Sequence, residues 1–218
     1  MSKKQTQSRR DFLIRSATAV PAIAFCGLAL NEAPAARAAE TRNRQKDGGP
    51  AGARASRPTF FNQEEYEFIK AAVSRLIPRD NLGPGALEAG VPEFIDRQMQ
   101  TPYAVGANWY MQGPFNANAG PALGYQLPLK PQEIYRLGIA EADAFARKKH
   151  GAQFIKVSEA HQDSMLALME SGKAEFEKVP SNVFFGTLLQ NTREGFFSDP
   201  VHGGNQGLVG WKLIGFPG

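Results

Sequence analysis

The chain has 218 residues, 42% of them hydrophobic and 21% charged, with a mean hydropathy of −0.35 and a formal net charge of +4. This is an ordinary soluble composition, long enough for one core. The excess charge is local: residues 1–38 hold six of the 25 basic and two of the 21 acidic side chains, which leaves 19 of each in the remainder. A neutral remainder has no electrostatic footprint for nucleic acid, and that class of partner is excluded.

Residues 1–38 read as an address. Arg9 and Arg10 precede Phe12 and Leu13, and the weakly polar run of residues 16–30 follows. Ala33-Pro34-Ala35 and Ala36-Arg37-Ala38 then offer small-residue cleavage sites. This order is that of a secretory signal, and the paired arginines resemble a twin-arginine signal. The run is shorter than the roughly 20 residues a spanning helix needs and contains Pro21. Cleavage is expected after Ala38. Cys26, the one cysteine, lies inside the signal, so the mature chain is expected to carry no disulfide, thiolate ligand or cysteine nucleophile.

Residues 39–58 are rich in Gly, Ala, Pro and charge without apolar period, which predicts a disordered linker. The folded domain is expected over 59–218. Asn62 and Glu65 form a capping-box pair ahead of a helix with Tyr66, Ile69, Val73 and Leu76 or Ile77 at helical spacing, ended by Pro78. After a Gly/Pro turn, a short helix starts around Pro92. Residues 101–130 show neither helical nor strand period, yet carry Tyr103, Trp109, Tyr110, Phe115 and Tyr125. Aromatics argue against disorder and suit a partner surface, so Trp109 and Tyr110 become candidate partner-binding residues. Helices are then expected from Pro131 to Lys149, from a Ser158 cap to Gly172, and from a Ser181 cap to Gly195. No segment alternates over strand length. The fold class is all-α: a small irregular bundle of five or six helices with a long irregular aromatic segment and a Gly-rich C-terminal tail.

Catalytic readings are weak. The histidines are His150, His161 and His202. His161 sits two residues from Glu159 and from Asp163, and on a helix such positions diverge by about 200°. Solvated polar residues explain them without a metal. No G-x-S-x-G elbow exists, and Ser158 is better used as a cap than as a nucleophile beside His161. GPGALEAG (residues 83–90) lacks the strand, the Lys and the spacing of a phosphate loop. No catalytic, metal or cofactor-binding residue is assigned.

The tail reads FFSDPVHGGNQGLVGWKLIGFPG, residues 196–218. Asp199-Pro200 favours a turn, Gly203-Gly204 permits positive φ, and Asn205 can bond its own backbone. Val209, Trp211, Leu213, Ile214 and Phe216 follow, more apolar surface than so short a segment can bury alone. The residues leave three readings open: a tail packed on its own bundle, a tail shared with another subunit, or a catalytic His202.

Phe196, Phe197, Asp199, Pro200, Gly203, Gly204 and Asn205, then Gly210, Trp211, Lys212, Ile214, Gly215, Pro217 and Gly218, resemble the closing motif of the gluconate 2-dehydrogenase subunit 3 family. The stretch of residues 83–96, the GYQLPL segment and Ile134-Tyr135-Arg136 are similar too, and position 202, often aromatic there, is His here. The resemblance spans residues 59–218. It implies a non-catalytic small subunit of a periplasmic complex attached to the inner membrane. The implied partners are a large FAD-dependent dehydrogenase subunit of the glucose–methanol–choline type, a membrane-attached multihaem cytochrome c and the twin-arginine translocase. FAD and haem c are expected in the partners and no cofactor in this chain. The implied role is export, maturation and stability of the flavoprotein, which oxidises a sugar or sugar acid. On this reading Asp199, Gly203, Gly204, Asn205, Trp211 and Phe216 join the partner-binding candidates. The alternative is a self-contained exported α-helical binding protein with no redox partner.

Overall fold

The computed structural model describes residues 57–109, 111–116 and 118–217. The signal, with Arg9, Arg10, Phe12, Leu13, Ala36 and Ala38, residues 39–56 of the expected linker, and Tyr110 lie outside the described residues. Among those described there are six α-helices and no strand: α1 Gln63–Leu76, α2 Val91–Gln98, α3 Pro131–His150, α4 Glu159–Glu170, α5 Ser181–Phe197 and α6 Val209–Ile214. The fold is all-α.

Local chemistry sets most of the boundaries. The Asn62 side chain accepts the Glu65 N–H at 2.9 Å while the Glu65 carboxylate accepts the Asn62 N–H at 3.0 Å, a complete capping box on α1. Pro92 occupies the first turn of α2. Ser158 accepts the His161 N–H at the start of α4, and Gly172 leaves that helix at φ 69°. The α3 helix runs one residue past Lys149 and is closed by Gly151 at φ 75°.

Two expected boundaries are corrected. Ser181 is the first residue of α5 rather than its cap, because the non-helical position is taken by Pro180 with φ −57° and ψ 128°. The Ser181 hydroxyl is buried without a hydrogen-bond partner. Gly195 does not close the helix, which continues to Phe197. A β-carbon at Gly195 would lie 2.7 Å from the Phe94 ring, so close packing against α2 explains the glycine and capping does not.

The central element is α5, which packs against all five other helices. Phe184, Leu188 and Phe196 are buried on it. Each such side chain contributes about 1.5–3 kcal/mol on burial, and this packing rather than propensity holds a helix that contains two glycines. Phe184 sits against Gly138 of α3, where a β-carbon would be 2.1 Å from the ring. Across the core, Phe68 of α1 meets Phe154 at 4.7 Å and Phe184 at 6.1 Å. Outside the core, Arg75 of α1 reaches Asp163 of α4 at 3.0 Å and also pairs with Glu159. His161 points elsewhere and stacks on His150 at 4.2 Å, the divergence that helical spacing requires.

Candidate docking site at the C-terminal tail

The tail begins where α5 ends. Asp199 caps a single 3-10 turn, Pro200–His202, by accepting the Val201 N–H at 2.9 Å. Gly203 then adopts φ 100° beside the Arg97 side chain of α2. Gly204 lies so close to α5 that a β-carbon there would be 2.1 Å from the Gly195 oxygen. Gly210 repeats the contact one residue along α5, with 2.0 Å to the Phe196 oxygen. Two glycines thus bring tail backbone onto helix backbone, a path that any side chain would block.

Asn205 fixes that path. It is fully buried at φ 47°. Its backbone N–H donates to Gly195 at 2.8 Å, its Nδ2 donates to the Ser198 carbonyl at 2.9 Å, and its Oδ1 accepts the Gly210 N–H at 2.8 Å. The Gln206 N–H donates to the Ala89 carbonyl at 3.0 Å and ties the same turn to the approach to α2. Gly203, Gly204 and Asn205 therefore meet this chain's own helices.

Beyond this root the tail changes character. Leu208 adopts φ 57°, a costly conformation for a branched residue, and turns the chain into α6. Trp211 Nε1–H donates to the Phe197 carbonyl at 2.8 Å, and its half-buried ring stacks edge-on against Phe216 at 5.0 Å. Four apolar side chains of the tail face outward: Val201 is 73% exposed, Ile214 55%, Phe216 51% and Leu208 38%; Val209 and Leu213 are half-buried. A groove of roughly 410 Å³ is lined by Phe94, Gln98, Glu194, Phe197, Ser198 and His202. His202 itself is exposed on its rim.

The aromatic segment is more internal than its composition suggested. It contains the 3-10 turns Pro102–Val105 and Pro121–Leu123. Half-buried Trp109 packs between Tyr103 at 6.0 Å and Tyr125 at 4.6 Å. Tyr103 donates to Asn191 Oδ1 at 3.3 Å, and Asn191 Nδ2 donates to the hydroxyl of fully buried Tyr135 at 3.1 Å. Burial pushes the Tyr135 phenol far up, as does the proximity of Tyr103, against the opposing Asn191 bond. Tyr125 is pushed up to about 12, chiefly by burial. These tyrosines stay neutral and hold the segment on α3 and α5.

The lead-in to the bundle has its own anchor. Buried Asp96 of α2 accepts the N–H and hydroxyl of Thr59 at 2.7 and 2.6 Å and the N–H groups of Phe60 and Phe61 at 3.0 Å each. Burial alone would raise its carboxyl; the Thr59 hydroxyl and the three N–H donors outweigh this and hold it below the usual carboxylate range. Among the described residues no three His, Cys, Asp or Glu side chains gather in metal-binding geometry.

Sequence reasoning did not single out Val201 or Leu208, nor the pairing of Gly204 and Gly210 with α5. The only available signal was that apolar residues outnumber the positions a six-residue helix can bury.

Fold and tail together define an all-α bundle whose C-terminal segment folds back on the central helix and presents an apolar edge. The model of the family described as Gluconate 2-dehydrogenase subunit 3 matches residues 63–218, and the chain belongs to that family, a subunit of a dehydrogenase complex. No curated protein and no solved structure matches the chain.

Proposed function

We propose that this chain is the non-catalytic small subunit of a periplasmic flavoprotein–cytochrome c dehydrogenase, and that it supports export, maturation and stability of the FAD-bearing catalytic subunit. The observation that carries the reading is the divided tail, with its root locked on α5 and its apolar edge, Leu208, Ile214 and Phe216, left in solvent. Such an edge on a folded chain is what a docking subunit presents.

Residues 1–38 then serve both proteins. Arg9, Arg10, Phe12 and Leu13 are read by the twin-arginine translocase, which moves folded cargo, so a flavoprotein without its own signal travels bound to this one. After cleavage the complex sits at the inner membrane with a multihaem cytochrome c as electron acceptor. Co-expression tests this. The flavoprotein should reach the periplasm with FAD only when this chain is present, and equal periplasmic flavoprotein in its absence would refute the reading.

A further inference from the structure

The short helix α6 lacks a cap of its own. The residue before it, Leu208, has an apolar side chain, and no side chain at that position accepts a helix N–H. A helix of six residues is not self-supporting in water. The acceptor comes instead from Asn205, whose Oδ1 takes the Gly210 N–H while its Nδ2 holds the Ser198 carbonyl at the end of α5. One amide thus joins the helix being displayed to the helix that carries it, and it uses one donor and one acceptor at once. Asparagine also tolerates the φ of 47° better than other residues with a side chain.

From this geometry we infer that the fully buried Asn205 is a positioning residue: it sets the orientation of α6 and of the apolar edge, Leu208, Ile214 and Phe216, that flanks and ends it. The inference rests on the docking role proposed for that edge, yet the positioning itself is measurable without a partner. At the length of the asparagine side chain, a protonated aspartate reproduces the pair of bonds, with one O–H to donate and one oxygen to accept. Ionised aspartate would face the Ser198 carbonyl with a second acceptor.

The test uses two variants of the purified chain in a Trp109→Phe background, where Trp211 is the remaining tryptophan. Asn205→Gly keeps the backbone conformation and deletes both side-chain bonds, and Asn205→Asp makes the donor depend on pH. The readouts are hydrogen exchange at the Gly210 amide, corrected for its intrinsic rate at each pH, and Trp211 fluorescence. Circular dichroism checks the bundle. Asn205→Gly should exchange Gly210 about tenfold faster at every pH, the effect of one lost buried hydrogen bond. Asn205→Asp should match it at neutral pH and recover protection as the carboxyl protonates. The folded-state pKa of that carboxyl is raised by burial and the facing carbonyl, so its contribution is present at low pH and lost as pH rises through that value. Asp199, His202, Lys212, Arg97 and Glu194 are the charged and titratable groups on the tail and adjoining helices; the glycine variant carries all of them and is the control for their effect.

Binding of the flavoprotein separates the two ideas. Weaker binding that follows the loss of Gly210 protection, and that recovers at low pH in Asn205→Asp alone, supports positioning. A tail loosened without any change in binding keeps the positioning role and removes the docking role. Unchanged Gly210 exchange and Trp211 emission in both variants would overturn the inference; weakened binding in that case would assign Asn205 to direct contact.

Discussion

Gly204 and Gly195 meet backbone to backbone: a β-carbon on Gly204 would stand 2.1 Å from the Gly195 carbonyl oxygen. Since the neighbouring atom is backbone of the central helix, it cannot swing aside. Gly204→Ala should destabilise the chain by about 1–3 kcal/mol, seen as a lower urea midpoint at unchanged m-value. Gly186 is the control on the same helix. Nothing lies within 4 Å of a β-carbon there, so Gly186→Ala should stabilise by about 0.5–1 kcal/mol through helix propensity.

Asp96 gives the fold a defined acid response. Its folded pKa is depressed, so its contribution is present above the unfolded value of about 3.9 and is lost as pH falls through the lower folded value. Asp96→Asn should cost about 1–3 kcal/mol at pH 7, because it leaves donors of Thr59, Phe60 and Phe61 poorly paired. Urea midpoints followed from pH 7 down to about 2.5 should fall steeply in the wild type and less so in the variant.

The Tyr103–Asn191–Tyr135 chain is a buried polar link between the aromatic segment, α5 and α3. Asn191→Leu should cost about 2–3 kcal/mol, as it strands a fully buried tyrosine hydroxyl. Tyr135→Phe alone should cost about 1 kcal/mol. The double variant should recover part of the Asn191→Leu loss, because replacing both partners removes the unpaired group. Chemical denaturation of the four chains gives the coupling energy directly.

Much of the scaffold was legible because its signals are local. The Asn62–Glu65 box, Pro92, Ser158 and Gly172 each act within four residues of where they stand. Gly195 misled because a glycine near a helix end resembles a cap, whereas here it admits the Phe94 ring from a distant segment. Ser181 misled because Pro180 had already taken the non-helical position. The aromatic segment could be recognised as ordered, but not that Trp109 would lie between Tyr103 and Tyr125 of its own chain. In the tail, composition showed excess apolar surface. Which residues face outward depends on the turns at Asn205 and Leu208, and a left-handed leucine leaves no trace in hydrophobic pattern.

His202 sits on the groove rim and should not be needed for turnover. His202→Ala in the assembled complex should keep kcat within a few-fold of normal, measured by dye reduction with the complex's own substrate. A loss of several orders of magnitude in an intact complex would mark it as catalytic.

Under the export role proposed above, in which a receptor reads the guanidinium pair, Arg9→Lys combined with Arg10→Lys should hold this chain and the flavoprotein together in the cytoplasm, because an ammonium is an imperfect substitute. Fractionation with an antibody to each protein would show it. Normal periplasmic flavoprotein beside a retained small subunit would separate their export.

Trp211 and its neighbours decide whether the tail is a docking element. Ile214 and Phe216 are half-exposed, so Ile214→Ser with Phe216→Ser should leave the unfolding free energy from urea titration within about 0.5 kcal/mol of the wild type per site. Trp211→Ala also removes the bond to Phe197 and should loosen the tail while the helical circular dichroism persists. The most direct measurement is the dissociation constant of the flavoprotein for the Ile214→Ser/Phe216→Ser chain. Truncating an interface anchor costs about 2–4 kcal/mol, so binding should weaken roughly thirty-fold to a thousand-fold with the small subunit still folded. An unchanged dissociation constant with the folded double variant would contradict docking through the tail.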